Sequence, residues 1–244
     1  MTLSLCASEL DRQSPFGFTC RRCLTCCRFK KIQLNPYETA RLAGRLGIST
    51  TDFIARYTTG GTVLRFDDQG ACVFLQADGC TVHPDRPLVC RLYPLGRYVD
   101  SLGVETFAQL ALEDGCQGEL HAQGTIARYL QDQEAFPFME AADLYLDLLW
   151  YLVEHLHEQD LAPLQATAVS DAAGGEAEAE SDDRCQLVWI DLDRTVREYC
   201  QRTGTPVPGD IDARMKLQIK AVRQWAAQPQ GGDRYGNDPE PAGG

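Results

Sequence analysis

Four cysteines lie within eight residues near the start of the chain, in the spacing C-x2-C-x2-C-C. They are Cys20, Cys23, Cys26 and Cys27. Thiolates are soft ligands that suit zinc and iron–sulfur clusters. A C-x2-C pair can direct two sulfurs at one ion from a tight turn, because closing so short a loop costs little entropy. The run departs from the bacterial ferredoxin pattern, since Lys30 stands at its fourth cysteine position. We therefore expect further ligands downstream.

Four more cysteines follow at wider spacing, and together with the run they account for eight of the eleven in the chain. The candidate metal ligands are Cys20, Cys23, Cys26, Cys27, Cys72, Cys80, Cys90 and Cys116. The other three cysteines, Cys6, Cys185 and Cys200, stand apart and are expected to be ordinary thiols.

Three motifs in this part of the chain resemble the YkgJ-type cysteine-cluster family, described as having a zinc- or iron-chelating CxxCxxCC domain. They are the run Cys20–Cys27, the element Cys72-x-Phe-Leu with the following Gly-Cys80, and Arg86-Pro87-x-x-Cys90-Arg91-x-Tyr-Pro. Cys116 resembles a later cysteine of the family, although Gln117 stands where proline is usual. The resemblance implies a metal-binding domain over residues 16–120. A similar domain occurs in FliB, the flagellin lysine N-methylase, which makes a protein-modifying enzyme conceivable by analogy.

The spacing of the cysteines favours an iron–sulfur cluster, of the [4Fe–4S] type, over zinc. Structural zinc sites usually combine two C-x2–4-C pairs, whereas here one crowded run is followed by single cysteines. A cubane accepts ligands from separate loops. We expect three ligands from the run and one from Cys72, Cys80 or Cys90. Two four-thiolate zinc sites are the alternative.

The cysteine run is basic within an acidic chain. The chain has a net charge of −12 and a pI near 4.7, which argue against binding to nucleic acid or to anionic membranes. Residues 16–31 nevertheless carry five cations and no acid: Arg21, Arg22, Arg28, Lys30 and Lys31. Cations beside thiolates offset their charge and lower their pKa values; a solvated basic loop is the equally good alternative. Arg86 and Arg91 flank Cys90, where they could donate hydrogen bonds to sulfur or pair with a carboxylate.

No targeting or membrane segment is expected. The first residues lack the basic and apolar parts of a signal peptide, and no stretch approaches the ~20 apolar residues of a membrane span. We therefore expect a cytoplasmic protein. In that reducing compartment, clustered thiols indicate metal ligands rather than disulfides.

The elements around these motifs predict an α+β fold: a small cysteine-rich, metal-stabilised domain with short hairpins and helices, followed by a helical appendage. One helix begins at Asn35, with a capping box to Glu38, and ends at Gly47. A hairpin is expected to place Cys72 opposite Cys80. The predicted segments are a lead-in (1–15), the cysteine-cluster domain (16–165), an acidic flexible linker (166–184), a C-terminal helical segment (185–228) and a disordered tail (229–244).

No sequence pattern of a known catalytic site is present, so whether the protein is an enzyme stays open. Three functions fit the sequence. The first is an iron–sulfur protein with an electron-transfer, sensing or accessory role. The second is a zinc-stabilised adaptor whose C-terminal helices bind an unknown protein partner. The third is a cluster-dependent protein-modifying enzyme like FliB.

Overall fold

The computed structural model describes residues 10–100, 102–155 and 189–227. These residues form seven α-helices and eight short strands, so the predicted α+β class is confirmed. The chain divides into two compact units, Met1–Asp143 and Leu144–Gly244. The predicted linker and tail, together with Cys6 and Cys185, lie outside the described residues. The predicted domain boundaries therefore stay predictions.

The strands of the first unit pair as four antiparallel two-stranded sheets. The pairs are β1 (Pro15–Thr19) with β8 (Glu119–Thr125), β2 (Thr58–Thr59) with β3 (Val63–Leu64), β4 (Leu75–Gln76) with β5 (Gly79–Cys80), and β6 (Leu95–Val99) with β7 (Glu105–Gln109). The β1–β8 pair joins the two ends of the cysteine region, because β1 ends just before Cys20 and β8 begins just after Cys116.

The helices are α1 (Pro36–Leu46), α2 (Thr50–Tyr57), α3 (Leu88–Leu92), α4 (Ile126–Asp132), α5 (Phe136–His155), α6 (Leu192–Thr203) and α7 (Ile211–Ala226). The predicted ends of α1 are confirmed. The Asn35 side chain accepts a hydrogen bond from the Glu38 amide, and the Glu38 carboxylate accepts one from the Asn35 amide. Gly47 ends the helix in the left-handed conformation, with a φ of 67°, which glycine adopts without strain.

Two hydrophobic clusters form the core of the first unit. The thiol-side cluster packs against three of the candidate ligands, and its buried members are Ile32, Leu34, Leu42, Ala43, Phe53, Leu64, Phe74 and Val82. The second cluster contains Phe16, Leu92, Leu95, Phe107, Ile126, Tyr129, Leu130, Ala135 and Met139. Helix α3 contacts both clusters, because Cys90 packs on the thiol-side cluster and Leu92 belongs to the second cluster.

The predicted hairpin before α3 is present, but its register is different from the one expected. Cys80 pairs with Leu75, and Cys72 instead forms a bridge with Phe66. The cause is an extra turn at residues 73–74, in which the Leu75 amide donates to the Cys72 carbonyl at 2.8 Å. The Phe74 ring within that turn is buried in the thiol-side cluster.

The second unit is helical and contains α6, α7 and the C-terminal part of α5. Its interior includes a buried polar chain, in which the Tyr145 hydroxyl donates to Gln218 and the Gln218 amide donates to the Trp189 carbonyl. Cys200 is buried in α6. None of the described helices has the length and apolar character needed to cross a membrane.

Candidate metal centre

The cysteine run is a loop with unusual backbone geometry. Arg22, Leu24 and Phe29 have φ values of 52°, 65° and 52°, a left-handed region that few non-glycine residues adopt. Thr25–Cys27 form one turn of 3-10 helix. This geometry directs the Arg22 amide at the Sγ of Cys20, at 3.4 Å. The backbone of the loop thus donates a hydrogen bond to the sulfur of one candidate ligand, Cys20.

Four half-buried cysteines, which we call the inner thiol group, gather beside the thiol-side cluster: Cys27, Cys72, Cys80 and Cys90. The backbone joins two of them, since the Cys72 amide donates to the Cys27 carbonyl at 3.1 Å. The Cys26 thiol donates a hydrogen bond to Cys27 and lowers its pKa, against the opposing effects of burial and of the three other thiols of the group. This mutual influence agrees with the backbone contact that brings Cys27 and Cys72 together.

Burial governs the acidity of the downstream members of the inner group. It raises the pKa values of Cys72, Cys80 and Cys90, and nearby thiols raise the pKa of Cys90 further. Hydrogen bonds from the backbone of Phe74 and Val82 partly offset burial at Cys72 and Cys80. These thiols therefore stay protonated near neutral pH in the absence of a metal, and metal binding has to displace their protons.

Three other cysteines, which we call the outer thiol group, lie at the end of the β1–β8 pair: Cys20, Cys23 and Cys116. Cys20 is exposed and the other two are half-buried. The Sγ of Cys23 accepts hydrogen bonds from the Thr25 hydroxyl at 3.4 Å, the Gln117 amide at 3.5 Å and the Cys116 thiol. These donors lower the pKa of Cys23 to about 7. Cys26 lies between the two groups, because the thiols of both Cys27 and Cys23 raise its pKa.

Ion pairs fasten the Cys116 loop onto the cysteine run. Arg21 pairs with Glu119 at 2.9 Å, and Lys30 pairs with Glu113. The Tyr93 hydroxyl adds a contact, since it accepts a hydrogen bond from the Glu113 amide at 2.9 Å. Two of the five cations of residues 16–31 therefore bind carboxylates that no motif in the sequence indicated. The signal for them was present as two acids placed three residues on either side of Cys116.

Arg91 stabilises the backbone around Cys90 through hydrogen bonds to carbonyl groups. Its side chain is 1% exposed and donates to the carbonyls of Pro84, Arg86 and Gln133. The guanidinium lies over the Phe138 ring at 3.9 Å. Burial lowers the pKa of Arg91 to about 10. Arg91 thus ties the turn before α3 to the segment after α4, and it thereby fixes Cys90.

Glu38 links the helix α1 to the helix that carries Cys90. Besides capping α1, its carboxylate accepts a hydrogen bond from the Leu88 amide at 2.7 Å, at the start of α3. Burial raises the pKa of Glu38. The capping box was predictable from sequence, but this second contact was not, because it joins residues fifty apart.

The thiols do not converge on a single point. Within residues 10–100, 102–155 and 189–227, no three His, Cys, Asp or Glu side chains are grouped so that they could hold one metal ion. The sulfurs meet in pairs instead, Cys26 with Cys27 and Cys23 with Cys116. The proton shared in each pair must leave before both sulfurs can bind a metal, since the thiolate is the ligand. The fold therefore brings the loops together, and rotation of side chains would complete a centre.

The comparisons with known proteins agree with this donor set. Residues 19–117 match the model of the CxxCxxCC family, whose description reads "Putative zinc- or iron-chelating domain". The matched region contains all eight candidate ligands. No curated protein and no solved structure matches the chain.

Proposed function

We propose that this protein holds an iron–sulfur cluster on the inner thiol group and serves in electron transfer or sensing, because residues 19–117 match the model of the zinc- or iron-chelating CxxCxxCC family. The donor set fits such a cluster, since soft thiolates are its usual ligands. Each of the four cysteines comes from a different local structure: Cys27 from the 3-10 turn, Cys72 from a bridge, Cys80 from β5 and Cys90 from α3.

The supply of the four inner thiols by four separate segments is the observation that supports iron–sulfur over zinc. Thiolates bound to one tetrahedral zinc lie about 3.8 Å apart, because each Zn–S bond is about 2.3 Å long. The ligands of a cubane bind different iron atoms and therefore stay farther apart. The four inner cysteines come from four separate segments, and a cubane accepts ligands from separate loops.

The chain's own residues would set the properties of the centre. When bound, an iron–sulfur cluster supplies reversible one-electron transfer. The thiol-side cluster excludes water from one side of the inner group, and backbone donors at Phe74 and Val82 face the sulfurs of Cys72 and Cys80. Arg86 adds positive charge near Cys80. Hydrogen bonds to sulfur and nearby cations both favour the reduced, more negative state of a cluster.

The test is the iron and acid-labile sulfide content of protein purified without oxygen, measured beside its visible spectrum. We expect brown protein, with iron and sulfide in comparable amounts. The Cys80→Ser variant should lose both, while Cys200→Ala, which changes a thiol of the second unit, should keep both. Colourless wild-type protein that holds zinc and no sulfide would refute the iron–sulfur proposal.

A zinc-stabilised adaptor is the second candidate, and a surface of the second unit supports it. On α5 the side chains of Leu146, Leu149, Trp150 and Val153 are 40–62% exposed. Their spacing places them on one helix face, opposite Leu148 and Leu152, which are buried. Such a stripe suits an apolar protein partner. Trp150→Glu should abolish association with that partner and leave metal content unchanged.

A further inference from the structure

We propose that Phe29 and the cations that flank it, Arg28 and Lys31, form a docking surface for an acidic protein partner. We call these three residues the basic docking surface. They directly follow Cys27 of the inner thiol group in the chain, and they are different residues from those of the apolar stripe on α5. Binding of the partner does not depend on which metal the protein holds, whereas a use of that binding in electron exchange rests on the proposed function.

The backbone holds the Phe29 ring in solvent at a conformational cost. The residue is 80% exposed, and its φ of 52° is one that few bulky side chains adopt. Its amide donates to the Gly70 carbonyl at 2.7 Å, next to the bridge between Arg28 and Ala71. The ring lies against Gly70, where an added Cβ would come within 2.2 Å of it. Strained residues of this kind cluster at binding and catalytic sites.

The two cations of the basic docking surface keep their charge available. Arg28 and Lys31 are exposed. In the part of the chain that the structure describes, neither forms an ion pair, unlike the two cations of the same segment that hold the Cys116 loop. The Asp67 carboxylate, in the adjacent turn, accepts hydrogen bonds from two amides of its own turn instead. Positive charge beside an exposed aromatic ring is therefore free to meet a partner.

The sign of the charge indicates what the partner is. The chain as a whole has a net charge of −12, so an acidic protein is repelled by most of it and attracted to this surface. Aromatic residues and arginine are the side chains that most often dominate the binding energy at the centre of protein interfaces. The basic docking surface therefore fits a protein whose carboxylates surround an apolar pocket for the Phe29 ring.

An anionic membrane is a poorer fit to the same residues. Its surface would repel the remaining acidic chain. Phe29 is also the only large apolar side chain among residues 16–35 that is exposed, and stable attachment to a membrane needs more apolar area than one ring supplies. A protein pocket, in contrast, can bury a single ring completely.

The place of the basic docking surface gives the contact a purpose. Cys27 immediately precedes Arg28, and the Cys27 carbonyl accepts a hydrogen bond from the Cys72 amide at 3.1 Å. A protein bound to the Phe29 ring would thus lie close to two segments that carry inner thiols. Such a position suits an acidic electron carrier that exchanges electrons with the inner centre.

The experiment measures binding of the full chain to a labelled synthetic helical peptide with leucine on one face and glutamate on the other. Its control is the same peptide with lysine at every glutamate position, and fluorescence anisotropy gives both affinities at low and high salt. Wild type should prefer the glutamate peptide, and its affinity should fall as salt rises. Because the peptide reports binding alone, colourless protein would refute the iron–sulfur proposal without affecting this result.

The decisive variant is Phe29→Gly. Glycine adopts a positive φ without strain, so this variant should keep wild-type thermal stability while its affinity for the glutamate peptide falls about tenfold or more. Arg28→Gln with Lys31→Gln should weaken binding several-fold and reduce its salt dependence. Leu102→Ala is the matched control, because that side chain is 86% exposed in a different loop, and it should bind as wild type does.

Three outcomes would overturn the proposal. In the first, Phe29→Gly binds the glutamate peptide as tightly as wild type, or wild type binds the two peptides equally. In the second, vesicles of phosphatidylcholine and phosphatidylserine capture wild type but not Phe29→Gly, which would make the surface a membrane contact. In the third, wild type alone forms a salt-sensitive dimer that Phe29→Gly abolishes, which would make the partner a second copy of this chain.

Discussion

The inner and outer thiol groups use the same side chain in opposite settings. The three downstream thiols of the inner group pack against a hydrophobic cluster, and burial raises their pKa values. The outer group lies at the surface, where polar donors lower the pKa of Cys23 to about 7. Local surroundings, rather than the cysteine motif, therefore decide how readily each thiol gives up its proton.

The two groups also differ in what holds their loops. Buried hydrogen bonds of Arg91 and Glu38 fix the segment that carries Cys90. Exposed ion pairs hold the loop that carries Cys116. Buried polar contacts are costly to break, whereas surface ion pairs contribute little. The segment that carries Cys90 should consequently be more rigid than the loop that carries Cys116.

The largest expected effect is the loss of an inner ligand. Cys90→Ser should remove iron and sulfide together, and it should strongly destabilise the first unit, because metal binding contributes directly to the free energy of folding. Metal analysis and thermal unfolding of wild type and variant would measure this. Cys116→Ser is the matched comparison, since we expect it to keep the iron. A Cys90→Ser protein with wild-type iron content would remove Cys90 from the inner group.

The next effect concerns the buried support. Arg91→Ala would leave three backbone carbonyls without donors and a cavity beside Phe138, and it should lower the free energy of unfolding by about 3–5 kcal/mol. Urea unfolding of the metal-free protein would measure the change. If the loss is below about 1 kcal/mol, as is typical of an exposed residue, Arg91 does not anchor the inner group.

A smaller effect is the pH dependence of the exposed thiols. In metal-free protein, the rate at which iodoacetamide modifies Cys23 should be half-maximal at about pH 7. Modification of Cys72 should reach its half-maximal rate only at a pH above the pKa of an ordinary thiol, because burial raises the pKa of Cys72. Since the pKa of Cys23 is lower in the folded state, its ionisation stabilises the fold above pH 9, and that gain is lost as the pH falls through about 7. Mass spectrometry of the labelled peptides would give both rates. Equal pH profiles for Cys23 and Cys72 would contradict the difference in thiol acidity between the outer and inner groups.

The smallest effect is expected at a surface ion pair. Glu119→Gln removes the partner of Arg21 and should change the free energy of unfolding by about 0.2–1 kcal/mol, with a difference that shrinks at high salt. Denaturant titrations at low and high ionic strength would show it. A loss comparable to that of Arg91→Ala would mean that the two loops are held equally firmly.

Local signals in the sequence predicted the local parts of the site. Both caps of α1 follow from neighbouring residues, Asn35 with Glu38 at its start and Gly47 at its end. The β1–β8 pair and the carbonyl partners of Arg91 were not predicted, because they join segments far apart in the chain. The register of Cys80 was predicted wrongly, because a turn at residues 73–74 separates Cys72 from the paired strand β4.

The grouping of the cysteines into one metal centre was also not predictable from local sequence. The sequence led us to expect three ligands from the cysteine run and one from downstream. In the structure one cysteine of the run, Cys27, lies with three downstream cysteines. Spacing along the chain shows which sulfurs are near one another in a turn, but not which turn faces which. That choice depends on the packing of the thiol-side cluster.

Differential alkylation of the metal-loaded protein tests the central claim most directly. Protein purified without oxygen is treated with iodoacetamide before and after removal of its metal, and the modified cysteines are identified by mass spectrometry. We predict that Cys27, Cys72, Cys80 and Cys90 are protected as a set and become reactive together once iron is removed. If Cys80 or Cys72 reacts as fast in the loaded protein as in the metal-free protein, the inner thiol group does not hold the metal.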